Sequence, residues 1–530
     1  MSSDLLFGIN IAGDKHEFDP HLWSSSVKDK ANGTNGTNGT HGSNHANGSR
    51  TTPQLPERHP NTGIDVLIVG AGMGGLMATL ECWRKGHNIV GILERNNGPV
   101  YSGDIIVIQP SAVSVFRHWP DLMRDMENEQ INAGVMYEKH SGEHIYGPTV
   151  PNFNEPQHLS SRKGPKFVAP AQIRQKFYRM LLRQVARIGL KIEYGRRISR
   201  YFEDNVAGKG GVLFETGEIQ VADIVIAADG LKSSSEVLIF GEHTPAKSSG
   251  MSIYRTSYPR EMAMKDELVR KRWGDSSAMW EYWLGPGMYI GIFISDEVVG
   301  WGFTPRDTEG AAPTESWEPD TKVTDVIKAL LRAPDWDPTI VALIGTAPKE
   351  GIVHWPLLWR DLRREWTSTG GRVVQVGDSA HSFTPTSGNG ATQAIEDAVT
   401  LATCLELSGG PRNAPLATKI YNLLRYERIS CAQKMTFVNS QLKTETNWDA
   451  IWKDPAKVKT RFPKWVWGHD PEQYAYEKYS QGHAHLVAGE PFQNTNYPPG
   501  HKFMPWTIEE VYRDIAAGKR VEDLLDGDWS

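Results

Sequence analysis

A glycine-rich turn between a run of apolar residues and a helical pattern constrains the fold of this chain more than any other feature. The apolar run, residues 65–69, is followed by Gly70, Gly72 and Gly75 in the spacing G-x-G-x-x-G. In a strand–turn–helix unit the first glycine permits a tight turn, the second lets the backbone approach a pyrophosphate, and the third lets the helix pack closely on the strand. The pattern therefore predicts a dinucleotide-binding unit in an α/β domain.

The residues after the turn complete this unit. Apolar residues at helical spacing predict a helix from about Leu76 to Lys85, and Gly86 is expected to end it. A second strand, Ile89 to Leu93, is followed by Glu94, which stands 24 residues after Gly70. In dinucleotide-binding proteins a carboxylate about 20 residues downstream hydrogen-bonds a ribose hydroxyl. Glu94 is therefore predicted to contact a ribose.

Composition and charge exclude several classes of protein. The net charge of −6 gives no electrostatic argument for a nucleic-acid partner. The three cysteines form no C-x-x-C pair, so we expect reduced thiols and no metal site. Outside the glycine-rich stretch no apolar run is long enough to span a membrane, and no secretory signal is visible, so we expect a cytoplasmic protein.

Two later stretches repeat the combination of a buried strand with an acid and a glycine. In the first, residues 224–228 lead into Asp229 and Gly230. In the second, residues 371–376 lead into Asp378, and the chain continues to a turn formed by residues 388–390. That turn opens a predicted helix, whose first N–H groups and positive dipole end suit an electron-rich ring carbonyl or a ring that becomes anionic on reduction.

Residues 246–365 differ in character, because they are dense in aromatic side chains. Short apolar alternations broken at residues 285–287 predict antiparallel strands, and hence a second domain on a mixed or antiparallel sheet. The chain is accordingly divided into five stretches: a flexible N-terminal extension (1–60, with low complexity over 31–50), the first part of the nucleotide-binding domain (61–245), the substrate domain (246–365), the second part of the nucleotide-binding domain (366–445) and a C-terminal region (446–530).

Arg174 is placed unexpectedly for a helix. It lies in the first turn of a helix predicted from Ala171 to Ile188, where the helix dipole favours acids over cations. A nearby anionic group would account for it, and a solvated surface arginine is the alternative.

Together, the three stretches resemble the group A flavoprotein monooxygenases in their order and spacing. The run from Gly377 to Ala398 is most similar to the salicylate-hydroxylase-like branch, which includes fungal biosynthetic enzymes. The resemblance covers about residues 63–470. It implies the fold of para-hydroxybenzoate hydroxylase: an α/β protein with a Rossmann-like FAD-binding domain, an inserted α+β substrate domain and a helical C-terminal region.

The resemblance also implies which residues bind the cofactor. Gly70, Gly72, Gly75 and Glu94 correspond to residues at the FAD diphosphate and ADP ribose. Arg174 corresponds to an arginine beside the diphosphate, and Asp378 to an acid on the ribityl chain or diphosphate. The remaining positions are at the isoalloxazine edge (Gly388, Asn389, Gly390), in a loop beside the flavin (Gly103), and in a motif that contacts both FAD and NAD(P)H (Asp229, Gly230).

On the substrate side, Arg255 is the first candidate for a catalytic residue. It follows Tyr254 in a pair that matches the family's substrate sheet, and we expect it to hold a phenolate or to donate a proton; a structural ion pair is the alternative. A tyrosine common in the family is missing, so Tyr289 or Tyr282 is the candidate to replace it. Glu236 stands where an arginine is expected, which predicts different NAD(P)H contacts. His381 is expected to have a structural role.

The resemblance implies an enzyme that binds FAD tightly and uses NADPH or NADH as co-substrate. The sequence contains one dinucleotide fingerprint, as in enzymes where NAD(P)H reduces FAD without a Rossmann fold of its own. With O₂, the resemblance implies hydroxylation, epoxidation or dearomatisation of an aromatic or alkene substrate through a flavin C4a-hydroperoxide. A flavin-dependent reductase and a non-catalytic flavin-binding redox sensor are the alternatives.

Overall fold

A five-stranded parallel sheet carries the glycine-rich turn. The structure, a computed structural model, describes residues 54–101, 105–307, 321–385 and 388–530. In spatial order the strands of this sheet are β17 (Val373–Gln375), β11 (Ile224–Ala227), β1 (Asp65–Val69), β2 (Asn88–Glu94) and β7 (Glu193–Tyr194). Val66, Leu67 and Ile68 of the central strand are fully buried, as in a parallel sheet covered on both faces. The α/β class and the Rossmann-like unit are confirmed.

Two helices bring separate parts of the chain to one edge of this sheet. Helix α1 (Met73–Arg84) follows β1, and helix α11 (Gly390–Leu407) begins after β17. They pack closely where both begin, since a Cβ added to Gly74 would lie 3.5 Å from the Cβ of Ala394. The turns that precede the two helices therefore lie at the same edge of the sheet, where parallel α/β sheets bind their ligands.

A seven-stranded mixed sheet forms the second part of the molecule. In spatial order its strands are β16 (Val353–Trp359), β12 (Lys247–Pro259), β15 (Val298–Pro305), β14 (Met288–Ile294), β13 (Met279–Gly285), β4 (Gly134–Lys139) and β5 (His144–Thr149). Neighbouring strands are antiparallel except for β13 and β4, which are parallel. Strands β4 and β5 come from the first predicted stretch of the nucleotide-binding domain, so this sheet takes in more of the chain than residues 246–365.

The other strands form two smaller sheets. They are β3 (Ile105–Ile106) and β6 (Gln172–Ile173), which pair with each other, and β8 (Ile198–Asp204), β9 (Lys209–Phe214) and β10 (Ile219–Ala222), which form an antiparallel sheet. The other helices before α11 are α2 (Pro110–Val113), α3 (Pro120–Glu129), α4 (Pro156–Leu159), α5 (Arg174–Arg187), α6 (Ser235–Phe240), α7 (Arg260–Ala263), α8 (Glu267–Trp273), α9 (Val323–Leu330) and α10 (Pro338–Gly345).

The C-terminal region is helical, as predicted. It follows the 31-residue helix α12 (Ala414–Thr444) and contains α13 (Trp448–Lys453), α14 (Lys464–Trp467), α15 (Pro471–Ala488) and α16 (Ile508–Ala516). Helices α11, α12 and α15 pack on one another. Across the described ranges, no helix has the length and apolar character needed to cross a membrane.

The cysteines and the possible metal ligands are the residues on which the expectations from composition depend. All three cysteines of the sequence, Cys82, Cys404 and Cys431, are unpaired and buried, and burial raises the pKa of each thiol. Within the described part of the chain, His, Cys, Asp and Glu side chains form no group of three or more that could hold a metal ion. The predicted flexible extension lies outside the described residues up to residue 53.

Candidate active site

The three glycines of the first turn have three different surroundings. Gly70 has φ +101°, and a Cβ there would lie 2.3 Å from the carbonyl oxygen of Ala228. A Cβ on Gly75 would lie 1.9 Å from the carbonyl oxygen of Gly70, so this glycine permits close packing of α1 on the turn. Gly72, directly before α1, has nothing within 4 Å of its added Cβ. The turn is therefore tightly packed on the protein side and open in front of the helix N-terminus, where a diphosphate can bind.

Glu94 lies against this turn. Its Oε2 accepts a hydrogen bond from the N–H of Ala71 at 3.0 Å, and its Oε1 accepts one from the N–H of Asn96 at 2.9 Å. The same residue of the turn is also bonded from α5: the hydroxyl of Tyr178 donates to the carbonyl oxygen of Ala71 at 3.0 Å. Tyr178 was not singled out from the sequence, although its position one helical turn after Arg174 placed it on the same side of α5.

Arg174 and Asp378 bring opposite charges close to each other. Arg174 is the first residue of α5, and its guanidinium carbon lies 5.7 Å from the centre of the Tyr178 ring. Asp378 is exposed. Desolvation by the surrounding protein raises the pKa of its carboxyl group, while His381, Arg360 and Arg174 act in the opposite direction. A cation and an anion from separate parts of the chain therefore lie close enough to interact.

Asp229 and Gly230 connect the second acid–glycine stretch to the third. The hydroxyl of Tyr201 donates to Oδ2 of Asp229 at 2.8 Å, and Ser379 Oγ donates to Oδ1 at 3.2 Å. The N–H of Gly230 donates to Oγ of Ser379 at 2.9 Å. Burial raises the pKa of Asp229, and its hydrogen bonds oppose that shift. Asp229 and Gly230 therefore fix the position of Ser379, the residue that follows Asp378.

The turn before α11 is fixed by the loop that follows β3. Gly388 has φ +62°, and a Cβ there would lie 2.2 Å from the Cβ of Val107. Asn389 is buried, and its Oδ1 accepts a hydrogen bond from Nε2 of Gln109 at 2.8 Å. Gly390 is the first residue of α11. The N–H groups at the start of this 18-residue helix are held in one position by these contacts.

Three other predicted positions are placed as follows. Glu236 is buried, and its Oε2 accepts a hydrogen bond from the N–H of Thr244 at 3.2 Å. His381 is buried with Nε2 at 2.6 Å from Oδ2 of Asp397, which favours the predicted structural role. Gly103 lies outside the described residues, so its predicted role is not addressed by the structure.

A cavity of about 120 Å³ lies between the seven-stranded sheet and the loops that contain Ile105 and Pro385, and we call it the substrate cavity. Both predicted catalytic residues, Arg255 and Tyr289, line it. Ile105 and Pro385 close it from the side of the nucleotide-binding domain. The other lining residues are mostly aromatic or small: Ile253, Trp280, Tyr282, Gly291, Phe293, Gly300, Trp301, Gly302, Thr304 and Lys443.

Lys443 is a charged residue of the cavity lining that the sequence did not predict. It comes from the penultimate position of α12, is buried, and places its Nζ 4.3 Å from the ring centre of Tyr282 and 5.4 Å from that of Tyr289. Burial lowers the pKa of Lys443 to about 7 and raises that of Tyr289 to about 12. No local pattern around this lysine distinguishes it from a surface residue, because tertiary packing alone brings it here.

A much larger cavity of about 1010 Å³ adjoins the substrate cavity, and we call it the outer cavity. Trp280 and Tyr282 line both. The C-terminal region supplies much of the outer wall, including a set of basic side chains: Lys457, Lys459, Arg461, Lys519 and Arg520. The region that the sequence left without a function thus borders the candidate active site.

Comparisons with known proteins agree with this geometry. A family described as FAD binding domain matches residues 63–410. The chain is 74% identical to the FAD-dependent monooxygenase dmxR9 of Cryptosporiopsis sp. over 99% of both chains, and 66% identical to the FAD-dependent monooxygenase mdpD of Emericella nidulans, again over 99% of both. It resembles the crystal structure of CtdE in complex with FAD and a substrate with a TM-score of 0.71 and 26% identity, over 81% of this chain and 100% of that one. The chain belongs to the family of FAD-dependent monooxygenases.

Proposed function

We propose that this FAD-dependent monooxygenase uses NAD(P)H and O₂ to hydroxylate, epoxidise or dearomatise a phenolic aromatic molecule, an intermediate of fungal secondary metabolism. The substrate cavity carries this proposal. It combines the cationic side chain of Arg255 with aromatic walls, and Pro385 lines it from the side of the nucleotide-binding domain. A flat ring with an ionisable hydroxyl matches such a lining, because the ring packs on aromatic groups and the oxygen pairs with the cation.

The proposal assigns FAD to the edge of the parallel sheet where the predicted residues meet. The open side of Gly72 and the N-terminus of α1 suit the diphosphate, because N–H groups and the helix dipole favour an anion. Glu94 at the same turn suits a ribose hydroxyl. The other assigned positions are Gly70 and Gly75 in that turn, the interacting pair Arg174 and Asp378, Asp229 and Gly230, which bond to Ser379, and Gly388, Asn389 and Gly390 at the flavin ring.

When bound, FAD supplies the activation of O₂ at the expense of NAD(P)H, which amino-acid side chains cannot carry out. The protein's residues position the substrate and set the charge around it. Arg255 holds a phenolate oxygen, which keeps the aromatic ring electron-rich. The N–H groups at the start of α11 favour negative charge on a ring placed against them. The aromatic walls exclude water, and this strengthens both interactions.

The outer cavity indicates a substrate larger than a single ring. Its volume of about 1010 Å³ is many times that of the substrate cavity, and the two adjoin at Trp280 and Tyr282. One ring of a fused-ring phenol can occupy the substrate cavity while the rest lies in the outer cavity. We further propose that the protein acts in the cytoplasm, where its three free thiols remain reduced.

The proposal is tested by measuring NADPH and NADH oxidation together with O₂ uptake by the flavin-loaded protein. The panel contains single-ring phenols, fused-ring phenols and the same rings without hydroxyl groups. We expect oxidation and O₂ uptake to be stimulated by phenols, most strongly by the fused-ring members. Mass spectrometry of the product should show one added oxygen atom.

Other outcomes would point to the alternatives. NAD(P)H oxidation with a reduced product and no O₂ consumption would indicate a flavin-dependent reductase. Bound flavin without NAD(P)H oxidation, with any member of the panel, would indicate a redox sensor. Stimulation by the rings without hydroxyl groups, equal to that by the phenols, would contradict the assignment of a phenolic substrate.

A further inference from the structure

We propose that Lys443 is the proton acceptor of the substrate cavity: its neutral amine takes the proton of a substrate phenol, and the phenolate is held between the new ammonium group and Arg255. The inference rests on the proposed function, because it concerns a phenol in that cavity. It adds a residue from the C-terminal end of α12, which lies beyond the family match at residues 63–410.

The position of Lys443 is the first part of the argument. Its side chain is only 4% exposed, yet it lines the same 120 Å³ cavity as Arg255, Tyr282 and Tyr289. A buried lysine that faces a cavity of this size is within reach of a ligand that fills it. Burying a positive charge is costly, so burial at this cavity favours the neutral form of the amine over the ammonium form.

The groups around Lys443 determine when its amine carries a proton. Tyr282 of β13 and Tyr289 of β14 present their ring faces to it, and this favours the ammonium form. Arg255 of β12 lines the same cavity and, as a permanent cation, disfavours a second positive charge. Glu445, two residues further along the chain, is half-exposed and pairs with Arg306 at 2.5 Å.

Burial determines the balance between the ammonium and the neutral amine form of Lys443. It lowers the pKa of Lys443 to about 7, so a substantial fraction of the amine is neutral at neutral pH. Burial also raises the pKa of Tyr289 to about 12 and that of Tyr282 well above its ordinary value, so both remain phenols. Among these cavity groups, Lys443 is therefore suited to exchange a proton near pH 7, which is the condition for efficient general base catalysis.

The proposed step conserves atoms and charge. The O–H bond of the substrate phenol breaks, its proton forms a third N–H bond on Nζ, and the electron pair of the broken bond stays on oxygen. A neutral phenol and a neutral amine become a phenolate and an ammonium. After oxygen is inserted into the ring, the same proton can return to the product.

The test uses the flavin-loaded protein with 4-hydroxyacetophenone as a probe, in the absence of NAD(P)H. This phenol ionises slightly above neutral pH, and its phenolate absorbs at longer wavelength than its phenol. We expect binding at pH 7.5 to produce the phenolate band. We expect little proton release to the buffer, measured by calorimetry in two buffers of different ionisation enthalpy, because the proton passes to Lys443.

Two substitutions separate a proton acceptor from a mere positive charge. Lys443→Met removes the amine, so the bound probe should remain a phenol. Lys443→Arg keeps a cation that cannot accept a proton, so the phenolate band should appear with the release of about one proton per site. Lys434→Met is the matched control, since Lys434 lies on the same helix, near the ring of Trp529 and outside the substrate cavity; its spectrum should equal that of the parent.

The proposal is overturned if the parent protein, at saturating probe, shows no phenolate band or binds no probe. It is also overturned if Lys443→Met forms the same band, or if the parent releases as many protons as Lys443→Arg. Retention of flavin by each variant shows that it has folded. Because the readout does not involve turnover, an inactive enzyme that still forms the bound phenolate would contradict the proposed oxygenation and leave the role of Lys443 supported.

Discussion

Asp378 is the single residue on which FAD retention is expected to depend most. It is exposed and close enough to Arg174 to interact with it, and we expect it to accept hydrogen bonds from the ribityl or diphosphate region. Replacement by alanine removes that acceptor. For Asp378→Ala we expect FAD affinity to fall by about 10- to 100-fold, corresponding to about 1.5–3 kcal/mol for a hydrogen bond to a charged group.

Flavin content after purification, and titration of the apoprotein with FAD followed by fluorescence, measure this effect. Asp275→Ala is a suitable control, because Asp275 is an exposed acid near the start of β13. A variant that stays fully yellow through purification, with the parent's affinity, would remove Asp378 from the FAD site.

Arg255 is expected to affect turnover without affecting flavin binding. It lines the substrate cavity on the sheet side, whereas the proposed FAD contacts lie at the edge of the parallel sheet. For Arg255→Ala we expect kcat/KM for a phenol to fall by roughly 10²-fold, the loss of one charge-assisted contact. Arg255→Lys keeps the charge and should retain part of the activity. Parent-like turnover by Arg255→Ala, in steady-state assays, would support the structural ion pair instead.

The pH dependence of stability provides a separate measure of Lys443. Its pKa falls from an ordinary value of 10.5 to about 7 on folding, so between these values the unfolded chain binds more protons at this residue than the folded protein does. The parent therefore loses stability as the pH falls from 10.5 to about 7, by up to about 5 kcal/mol at 1.36 kcal/mol per unit.

Lys443→Met removes this penalty. Its free energy of unfolding relative to the parent should increase as the pH is lowered through that range, and then level off. Thermal or urea unfolding at several pH values measures the difference. The exposed Lys271, changed to methionine, should give a difference that does not vary with pH. The same flat result for Lys443→Met would show that this lysine stays charged when folded.

At the residue scale, the sequence is informative where a residue can be matched to a family motif. The resemblance predicts Arg255 and Tyr289 on the substrate side; both line the substrate cavity, and their catalytic roles stay predictions. Lys443 was missed because its function depends on the fold. It lies on a 31-residue helix with no motif around it, and only the packing of that helix on β13 and β14 brings it to the cavity.

At the element scale, the strand–turn–helix unit offers a matched pair of glycine substitutions. A Cβ on Gly75 would lie 1.9 Å from the backbone oxygen of Gly70, whereas a Cβ on Gly72 would meet nothing within 4 Å. Gly75→Ala should therefore force α1 away from β1 and lower the stability of the apoprotein by about 1–3 kcal/mol or more. Gly72→Ala should leave apoprotein stability unchanged and instead weaken FAD binding, because the methyl group occupies the open side of the turn.

Thermal unfolding of the apoproteins and FAD titration together distinguish these effects. If Gly72→Ala bound FAD as tightly as the parent, the diphosphate would not lie at this turn. If Gly75→Ala were as stable as the parent, the helix would have room to move.

Element positions were predictable where pairing is local or the strand is continuously apolar. Strands β1 and β11 and the turn between β13 and β14 appear where the pattern placed them. Strands β4 and β5 were not predicted, because β4 pairs with β13, more than a hundred residues further along the chain. Such a pairing leaves no signal in the local periodicity, and so the sheet's true extent could not be read from the sequence.

At the scale of the whole molecule, a buried charge network ties the C-terminal region to the FAD-binding domain. Glu396 and Asp397 of α11 pair with Arg425 and Arg428 of α12, and all four side chains are almost fully inaccessible. Nearby positive charges hold the pKa of Glu396 and that of Asp397 below their ordinary values despite burial. The same Asp397 accepts a hydrogen bond from the N–H of Gly377, next to Asp378.

Arg428 extends this network to the chain beyond residue 446. Besides Glu396, its guanidinium donates to the carbonyl oxygens of Trp465 at 2.7 Å, Val466 at 2.9 Å and Asn496 at 2.8 Å. This side chain is therefore one of the contacts that join the C-terminal region to the helix whose N-terminus is proposed to hold the flavin ring; the hydroxyl of Tyr476, which donates to Glu406 of that helix at 2.6 Å, is another.

For this reason Arg428→Met should affect the whole molecule. Breaking a buried ion pair typically costs about 3–5 kcal/mol, because the remaining carboxylate stays buried without its partner. We expect that loss in the free energy of unfolding, together with faster proteolysis of the C-terminal region and weaker FAD retention. Lys519→Met is the control, since the Lys519–Asp514 pair is half-exposed and such pairs contribute less than about 1 kcal/mol. If Arg428→Met lost stability but kept both FAD and resistance to proteolysis, the network would stabilise α11 and α12 alone and would not couple the C-terminal region to the flavin site.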